Sequence, residues 1–138
     1  MKHIIALAAL ALAAGCTAAS PETEALARAD GEAKLATELR NYQPAGAPVS
    51  CVPLRTLGGN RSAGEGAVIF GGKGTRVYVN RPPAGCPLLD HGRAISFRTT
   101  TNQLCRGDIV SVFDPVNGIN YGSCGLGDFE PYTRRREG

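Results

Sequence analysis

The sequence predicts a mainly β protein: a small antiparallel β-sandwich or barrel of about five or six strands, stapled by disulfides and preceded by a short helical tether. Short segments after residue 48 alternate apolar and polar residues between glycine-rich turns, which is the pattern of half-buried strands. Four of the five cysteines lie in this region. The chain has no tryptophan and only four tyrosines and four phenylalanines, so its core is small and benefits from covalent cross-links.

Six segments carry the strand pattern. They are residues 51–57, 67–70, 75–81, 93–99, 108–113 and 119–123. The glycine-rich run at 71–74 predicts a turn, because glycine adopts positive φ without strain. Closely spaced short strands of this kind are typical of a small sandwich or barrel. We assign the β domain to residues 49–133 and a basic tail to residues 134–138.

The N-terminus has the composition of a secretion signal. Lys2 supplies a positive charge, and residues 4–14 form an uninterrupted apolar run of eleven. A helix that spans a bilayer needs roughly 20 apolar residues, so this run is too short to remain as an anchor. Small residues follow it, as they do before a signal-peptidase site. Residues 1–15 are therefore predicted to be a signal peptide.

The residues at the expected cleavage point carry a resemblance. The sequence Ala-Ala-Gly-Cys at 13–16 resembles the lipobox of bacterial lipoproteins. The lipobox usually has leucine three residues before the cysteine; here that position is Ala13, and Leu12 precedes it. The resemblance implies cleavage before Cys16 and lipidation of that residue, which would anchor the chain to a membrane. Thr17, rather than an aspartate, follows the cysteine. This implies the outer membrane of the bacterial envelope, with the protein facing the periplasm.

Residues 16–48 are predicted to be a lipidated, partly helical tether. Ser20, which is followed by a proline, is a typical helix start. Leu35, Leu39 and Tyr42 lie on one helical face. Gly31 interrupts the helical pattern. We expect one or two short helices that act as a spacer between membrane and domain. A helix that docks a partner is the alternative.

The domain cysteines predict disulfides. Cys51, Cys86, Cys105 and Cys124 form an even set in an exported protein, and three pairings are open to them. In an up-and-down sheet, Cys51 and Cys105 lie at the same end, which favours the pairing Cys51–Cys105 with Cys86–Cys124. The spacings contain neither the close pairs of zinc sites nor a Cys-x-x-Cys redox motif. We therefore expect no metal and no cofactor.

The sequence offers few candidate catalytic residues. His91 is the one histidine after the signal segment, and Asp90 precedes it in a predicted loop. A nucleophile–histidine–acid triad needs three groups assembled in space, and the Gly-x-Ser-x-Gly elbow is missing from the sequence. We predict no catalytic residue. The alternative is a small periplasmic hydrolase or redox enzyme that uses the Asp90/His91 loop or a free thiol.

The charge pattern predicts a basic domain. From residue 51 onward there are eleven Lys and Arg against seven Asp and Glu. Alternation places Val77 inward and Arg76 and Tyr78 outward, and Arg98 also faces outward. These three outward residues form a candidate ligand patch for an envelope protein, a lipid headgroup or an anionic polymer. A solvated charged face is the alternative, and nucleic acid is not expected as a partner because the basic excess is small.

Several motifs of the domain carry a second resemblance. They are CVPLR at 51–55, VYVNRP at 77–82, GCPL at 85–88, FRTT at 97–100, QLC at 103–105 and SCGLG at 123–127. Together they resemble an uncharacterised family of small bacterial envelope proteins, which implies a shared fold and leaves the activity open. The sequence thus predicts a membrane-anchored, non-enzymatic binding or structural module whose ligand is not specified.

Overall fold

The computed structural model describes residues 18–72 and 74–137. Cys16 and the signal peptide lie outside these residues. The elements are α1 (Pro21–Glu38), β1 (Tyr42–Pro44), β2 (Cys51–Pro53), a 3₁₀ turn (Leu54–Thr56), β3 (Leu57–Ala63), β4 (Ala67–Gly72), β5 (Arg76–Asn80), β6 (Ala94–Ser96), β7 (Gln103–Cys105), β8 (Ile109–Phe113), β9 (Asn120–Gly125) and β10 (Phe129–Arg134). No helix in this part of the chain is long and apolar enough to cross a membrane.

The predicted mainly β, antiparallel class is confirmed. A five-stranded sheet has the order β1-β10-β5-β4-β3, a three-stranded sheet the order β6-β8-β9, and β2 pairs with β7. The described residues form ten short strands rather than five or six. The predicted strand at 51–57 divides at the 3₁₀ turn, and four strands that lack clear alternation were not foreseen: β1, β3, β7 and β10.

Two apolar cores lie on opposite faces of the five-stranded sheet. The main core fills the space between this sheet and the two smaller sheets, and the rings of Phe70 and Phe129 lie 5.6 Å apart within it. The second core lies beneath α1 and contains Leu35, Ile69 and Val79. Because both faces of β4 and β5 are covered, these strands are buried on both sides.

Helix α1 begins where the sequence predicts. The Ser20 side chain accepts a hydrogen bond from the backbone N–H of Thr23 at 3.2 Å, and a proline occupies the first turn. Gly31 does not interrupt the helix as predicted. Its backbone packs against Gly64, where an added Cβ would stand 2.7 Å from the Gly31 Cα atom. The glycine is therefore the point at which the helix approaches the β3–β4 turn most closely.

The segment predicted as a tether contributes to the fold. Leu35, only 3% exposed, is buried under the helix on the face that the pattern predicts. After the helix, β1 pairs with β10, so that Tyr42 lies opposite Arg134. By contrast, every residue from Pro21 to Asp30 is exposed. The first half of α1 thus extends beyond the sheet, and the second half is docked on it.

Both favoured disulfides are confirmed. Cys51 and Cys105 are directly opposite each other on β2 and β7. Cys86 lies in the loop after β5 and is joined to Cys124 on β9, inside the main core. The two bonds span sequence separations of 54 and 38 residues. The chain-entropy relation gives each about 4 kcal/mol of stabilisation relative to the unfolded chain.

Two asparagine side chains each bind the backbone N–H and C=O of one distant residue, as a neighbouring strand would. Asn80 is fully buried; its amide donates to the Gly127 carbonyl at 2.7 Å and accepts from the Gly127 N–H at 2.8 Å. Asn60 makes the same two bonds to the backbone of Ile95, at 2.9 and 2.8 Å. Each pair satisfies backbone groups that no neighbouring strand reaches. The three-stranded sheet and the start of β10 are held in place by these contacts.

Candidate functional site

The predicted Asp90/His91 loop lies beside a cleft. An open cleft of about 510 Å³ is bounded by the docked half of α1, by β3 and by residues 90–94. Ser62, Asp90 and His91 all line it. The structure therefore brings a hydroxyl, a carboxylate and an imidazole to one place, which is the composition that a hydrolytic triad needs.

The Asp90 carboxylate is occupied by a structural contact. Both of its oxygens accept from Lys34 Nζ at 3.0 Å, and one also accepts from the His91 backbone N–H at 2.8 Å. The Lys34 hydrogen bond and the His91 backbone bond hold the pKa of Asp90 below its usual value. Hydrogen bonds to Asp90 and Asp30 in turn raise the pKa of Lys34. The carboxylate thus ties the loop to the helix.

The imidazole of His91 has no relay partner in this geometry. His91 is exposed and its backbone φ is 64°, a left-handed conformation that non-glycine residues seldom adopt. Among the hydrogen bonds of residues 18–72 and 74–137, none joins the imidazole to Asp90 or to Ser62. The described residues of the cleft thus contain no hydrogen-bonded nucleophile–base–acid chain, and the hydrolase alternative stays a prediction.

The three residues of the ligand patch predicted from the sequence lie in different elements and differ in exposure. Arg76 is exposed on β5 of the five-stranded sheet. Arg98 is exposed in the loop that follows β6, a strand of the three-stranded sheet. Tyr78, which alternation places outside, is half-buried and packs against the main core. Its strand is central and covered on both faces, so alternation does not separate inside from outside there. No hydrogen bond or ion pair of the described residues joins two of the three side chains, and their patch stays a prediction.

Arg76 belongs instead to a cluster at one end of the five-stranded sheet. We call this surface the arginine end; it consists of Arg40, Arg76, Arg134, Arg135 and Arg136. Strand pairing assembles it from three distant segments, since Thr133 on β10 lies opposite Arg76 on β5. The backbone N–H of Arg135 donates to the Asn41 carbonyl at 2.8 Å, which brings the end of β10 beside the residue that follows Arg40.

Backbone contacts fix the base of the arginine end. The N–H of Arg134 donates to the Thr75 carbonyl at 2.9 Å, and its guanidinium carbon lies 5.7 Å from the centre of the Tyr42 ring. Arg135 Nε donates to the Tyr42 carbonyl at 3.0 Å. Two residues assigned from the sequence to the basic tail, Arg134 and Arg135, are therefore hydrogen-bonded at the end of the sheet. Their backbone positions at this end of the sheet are fixed.

The arginine end lies outside the ion pairs that engage several other arginines of the described chain. Arg61, Arg81 and Arg106 each form an ion pair with a glutamate or aspartate, such as the 2.6 Å contact of Arg61 with Glu38. None of the ion pairs found within residues 18–72 and 74–137 involves the arginine end. All five of its side chains are exposed. A guanidinium without a carboxylate partner keeps its donors free for an external anion.

No group of three or more His, Cys, Asp or Glu side chains within the described ranges could hold a metal ion. The four domain cysteines are paired as disulfides. No known protein family matches this sequence, and neither curated proteins nor solved structures yield a match. The resemblance to an uncharacterised envelope family consequently stays a prediction.

Proposed function

We propose that this protein is an envelope lipoprotein, anchored through a lipid on Cys16, whose domain is a non-enzymatic module that binds an anionic partner at the arginine end. The observation that carries the proposal is the convergence of five exposed arginines, outside every described ion pair, from three segments of the chain. The lipobox-like sequence and the disulfides support an oxidising compartment outside the cytoplasm.

The chemistry of the arginine end suits carboxylate or phosphate groups. A guanidinium is planar and always charged, and it donates two parallel hydrogen bonds to such an anion. Because the side chains of Arg134 and Arg135 already contact the Tyr42 ring and carbonyl, less side-chain freedom is lost when a ligand binds. The proposed location is the periplasmic side of the outer membrane. The proposed partners are the lipid bilayer, through Cys16, and an acidic envelope protein or anionic polymer.

Binding of poly-glutamate to the mature lipidated protein in neutral detergent tests the site. The double variant Arg40→Gln/Arg136→Gln removes two charges from the arginine end, and Arg28→Gln/Arg55→Gln removes two exposed charges elsewhere. At roughly 0.5–1 kcal/mol per exposed charge contact, the first variant should bind about tenfold more weakly. The second should bind like the wild type. Equal weakening in both variants, or no binding by the wild type, contradicts the proposed site.

Anchoring has its own test. The intact mass of the membrane-purified protein should equal that of residues 16–138 plus acyl chains, and Cys16→Ala should release the chain to the soluble fraction. Since one acyl chain binds membranes only weakly, stable anchoring requires more than one. A membrane-bound Cys16→Ala protein would contradict lipid anchoring at this residue.

A further inference from the structure

We infer that docking of α1 directs the arginine end away from the bilayer, so that its ligand is a polyanion of the aqueous compartment and not the headgroups of the anchoring membrane. The inference rests on the proposed function and adds two things to it: an orientation and a class of partner. It is carried by the direction in which α1 crosses the sheet and by the charges and side chains at the two ends.

Three contacts define the direction of the helix. Gly31 meets Gly64 at the β3–β4 turn, and Glu32 pairs with Arg81 just beyond the end of β5. Seven residues after Gly31, Glu38 pairs with Arg61 further back along β3. The helix therefore runs from the β3–β4 turn towards the arginine end. Its exposed first half extends past the turn, in the opposite direction to the arginines.

The helical rise gives the scale of this arrangement. The exposed stretch Pro21–Asp30 projects by about 15 Å, and the axis from Pro21 to Glu38 is about 26 Å long. Ser20 lies four positions after Cys16, and four Cα–Cα steps can span at most ~14 Å. A lipid on Cys16 thus lies at the far end of α1 from the arginine end. With α1 standing away from the bilayer, as the inference requires, this separation exceeds the Debye length of about 8 Å at physiological salt, and headgroup charge is largely screened at the arginine end.

The side chains around the arginine end indicate the class of partner. The large apolar side chains that the described chain exposes are Leu26, Val49, Leu88, Ile109, Val116 and Ile119, and none belongs to the segments that form the arginine end. Protein interfaces are usually built around an apolar centre with a polar rim. A surface of arginines without such a centre fits an extended polymer that carries carboxylates or phosphates, bound by charge and hydrogen bonds along its length.

Energy transfer to the membrane tests the orientation. The lipidated full chain is reconstituted in neutral phosphatidylcholine vesicles that contain an acceptor lipid. A fluorescent amino acid replaces either Ala84 or Glu137. Ala84 is exposed in the loop whose Cys86 N–H donates to Glu65 in the β3–β4 turn, and Glu137 follows the arginine end. Transfer should be stronger from position 84. Equal transfer, or stronger transfer from position 137, overturns the inference.

A variant that undocks the helix, compared with a matched control variant, tests whether docking sets the orientation. Gly64→Ala places a Cβ against the Gly31 backbone, whereas a Cβ at Gly66 meets no heavy atom within 4 Å. The difference in transfer between positions 84 and 137 should shrink in Gly64→Ala and persist in Gly66→Ala. If the difference persists in both variants, docking of α1 does not set the orientation and the inference fails.

Poly-glutamate binding on vesicles separates this inference from the proposed function. Wild-type protein should bind poly-glutamate equally well in detergent and on neutral vesicles. Binding in detergent that is lost on vesicles overturns the orientation and leaves the site intact, whereas no binding in either state overturns the proposed function. In the last experiment, energy transfer from positions 84 and 137 is measured on vesicles that contain anionic phosphatidylglycerol. If they raise transfer from position 137 to the level of position 84, headgroups are the ligand and the polyanion assignment is wrong.

Discussion

The glycine contact between α1 and the β3–β4 turn gives the sharpest prediction of stability. Gly64 has φ +65°, and a Cβ there would stand 2.7 Å from the Gly31 Cα atom. Alanine in this left-handed conformation costs about 1–2 kcal/mol. The clash can be relieved if the helix leaves the sheet, which uncovers the second core; exposure of Leu35 alone costs about 2 kcal/mol more. Gly64→Ala should therefore lower the free energy of unfolding by at least about 3 kcal/mol.

Urea unfolding and hydrogen exchange measure the two parts of this effect. Amides of residues 31–38 should exchange faster in Gly64→Ala, while those of β4 keep their protection because the main core is untouched. Gly66→Ala is the matched control, since its Cβ has open space and the residue lacks a positive φ. It should stay within about 0.5 kcal/mol of the wild type. The reasoning is refuted if Gly64→Ala is as stable as Gly66→Ala and its helix is equally protected.

Three further predictions concern stability. Asn80→Ala leaves a buried backbone N–H and C=O without partners and should cost about 3 kcal/mol in urea unfolding. Asp90→Asn should destabilise the protein at neutral pH but not in acid strong enough to protonate Asp90 in the folded state. The lowered pKa of Asp90 means that its contact with Lys34 stabilises the fold above the usual aspartate range and is lost as pH falls through the folded-state pKa. Replacing Cys86 and Cys124 by serine should cost about 4 kcal/mol.

Each of these predictions has a specific contradiction. Asn102→Ala, a change at an exposed asparagine, is the control for Asn80→Ala, and equal stability of the two would show that the buried amide pairing contributes nothing. A difference between Asp90→Asn and wild type that persists unchanged in acid would mean that the charge of the carboxylate is not its cause. A double serine variant with wild-type stability would rule out an entropic role for that disulfide.

Local physical rules account for the elements that could be predicted. Ser20 and the following proline satisfy the first helical N–H groups whatever the fold, so the start of α1 is a local property. Strands β4, β5 and β8 have enough apolar residues to be recognised without knowing their neighbours. The disulfide pairing followed because two pairs of cysteines fall at opposite ends of an antiparallel arrangement.

Elements that depend on distant partners could not be predicted. Strand β3 contains two adjacent glycines and a bulge, and β10 contains a proline, so neither alternates clearly; pairing with β4 and β5 makes them strands. Gly31 reads locally as a helix breaker, whereas the fold uses its lack of a side chain for close packing. Arg40 and Arg134 are 94 residues apart, and only the pairing of β1 with β10 brings them together. A basic cluster of this kind cannot be recognised from residues that are neighbours in the sequence.

The two edges of the five-stranded sheet bear on how densely the protein can be packed on a surface. An open edge strand offers unpaired N–H and C=O groups to another molecule, and crowding in two dimensions would favour such contacts. Here β1 is three residues long and ends in Pro44, which lacks an N–H, and β3 carries a bulge between Leu57 and Asn60. Neither edge is a flat template for another strand. The sheet is thus shaped to resist edge-to-edge aggregation at high local concentration.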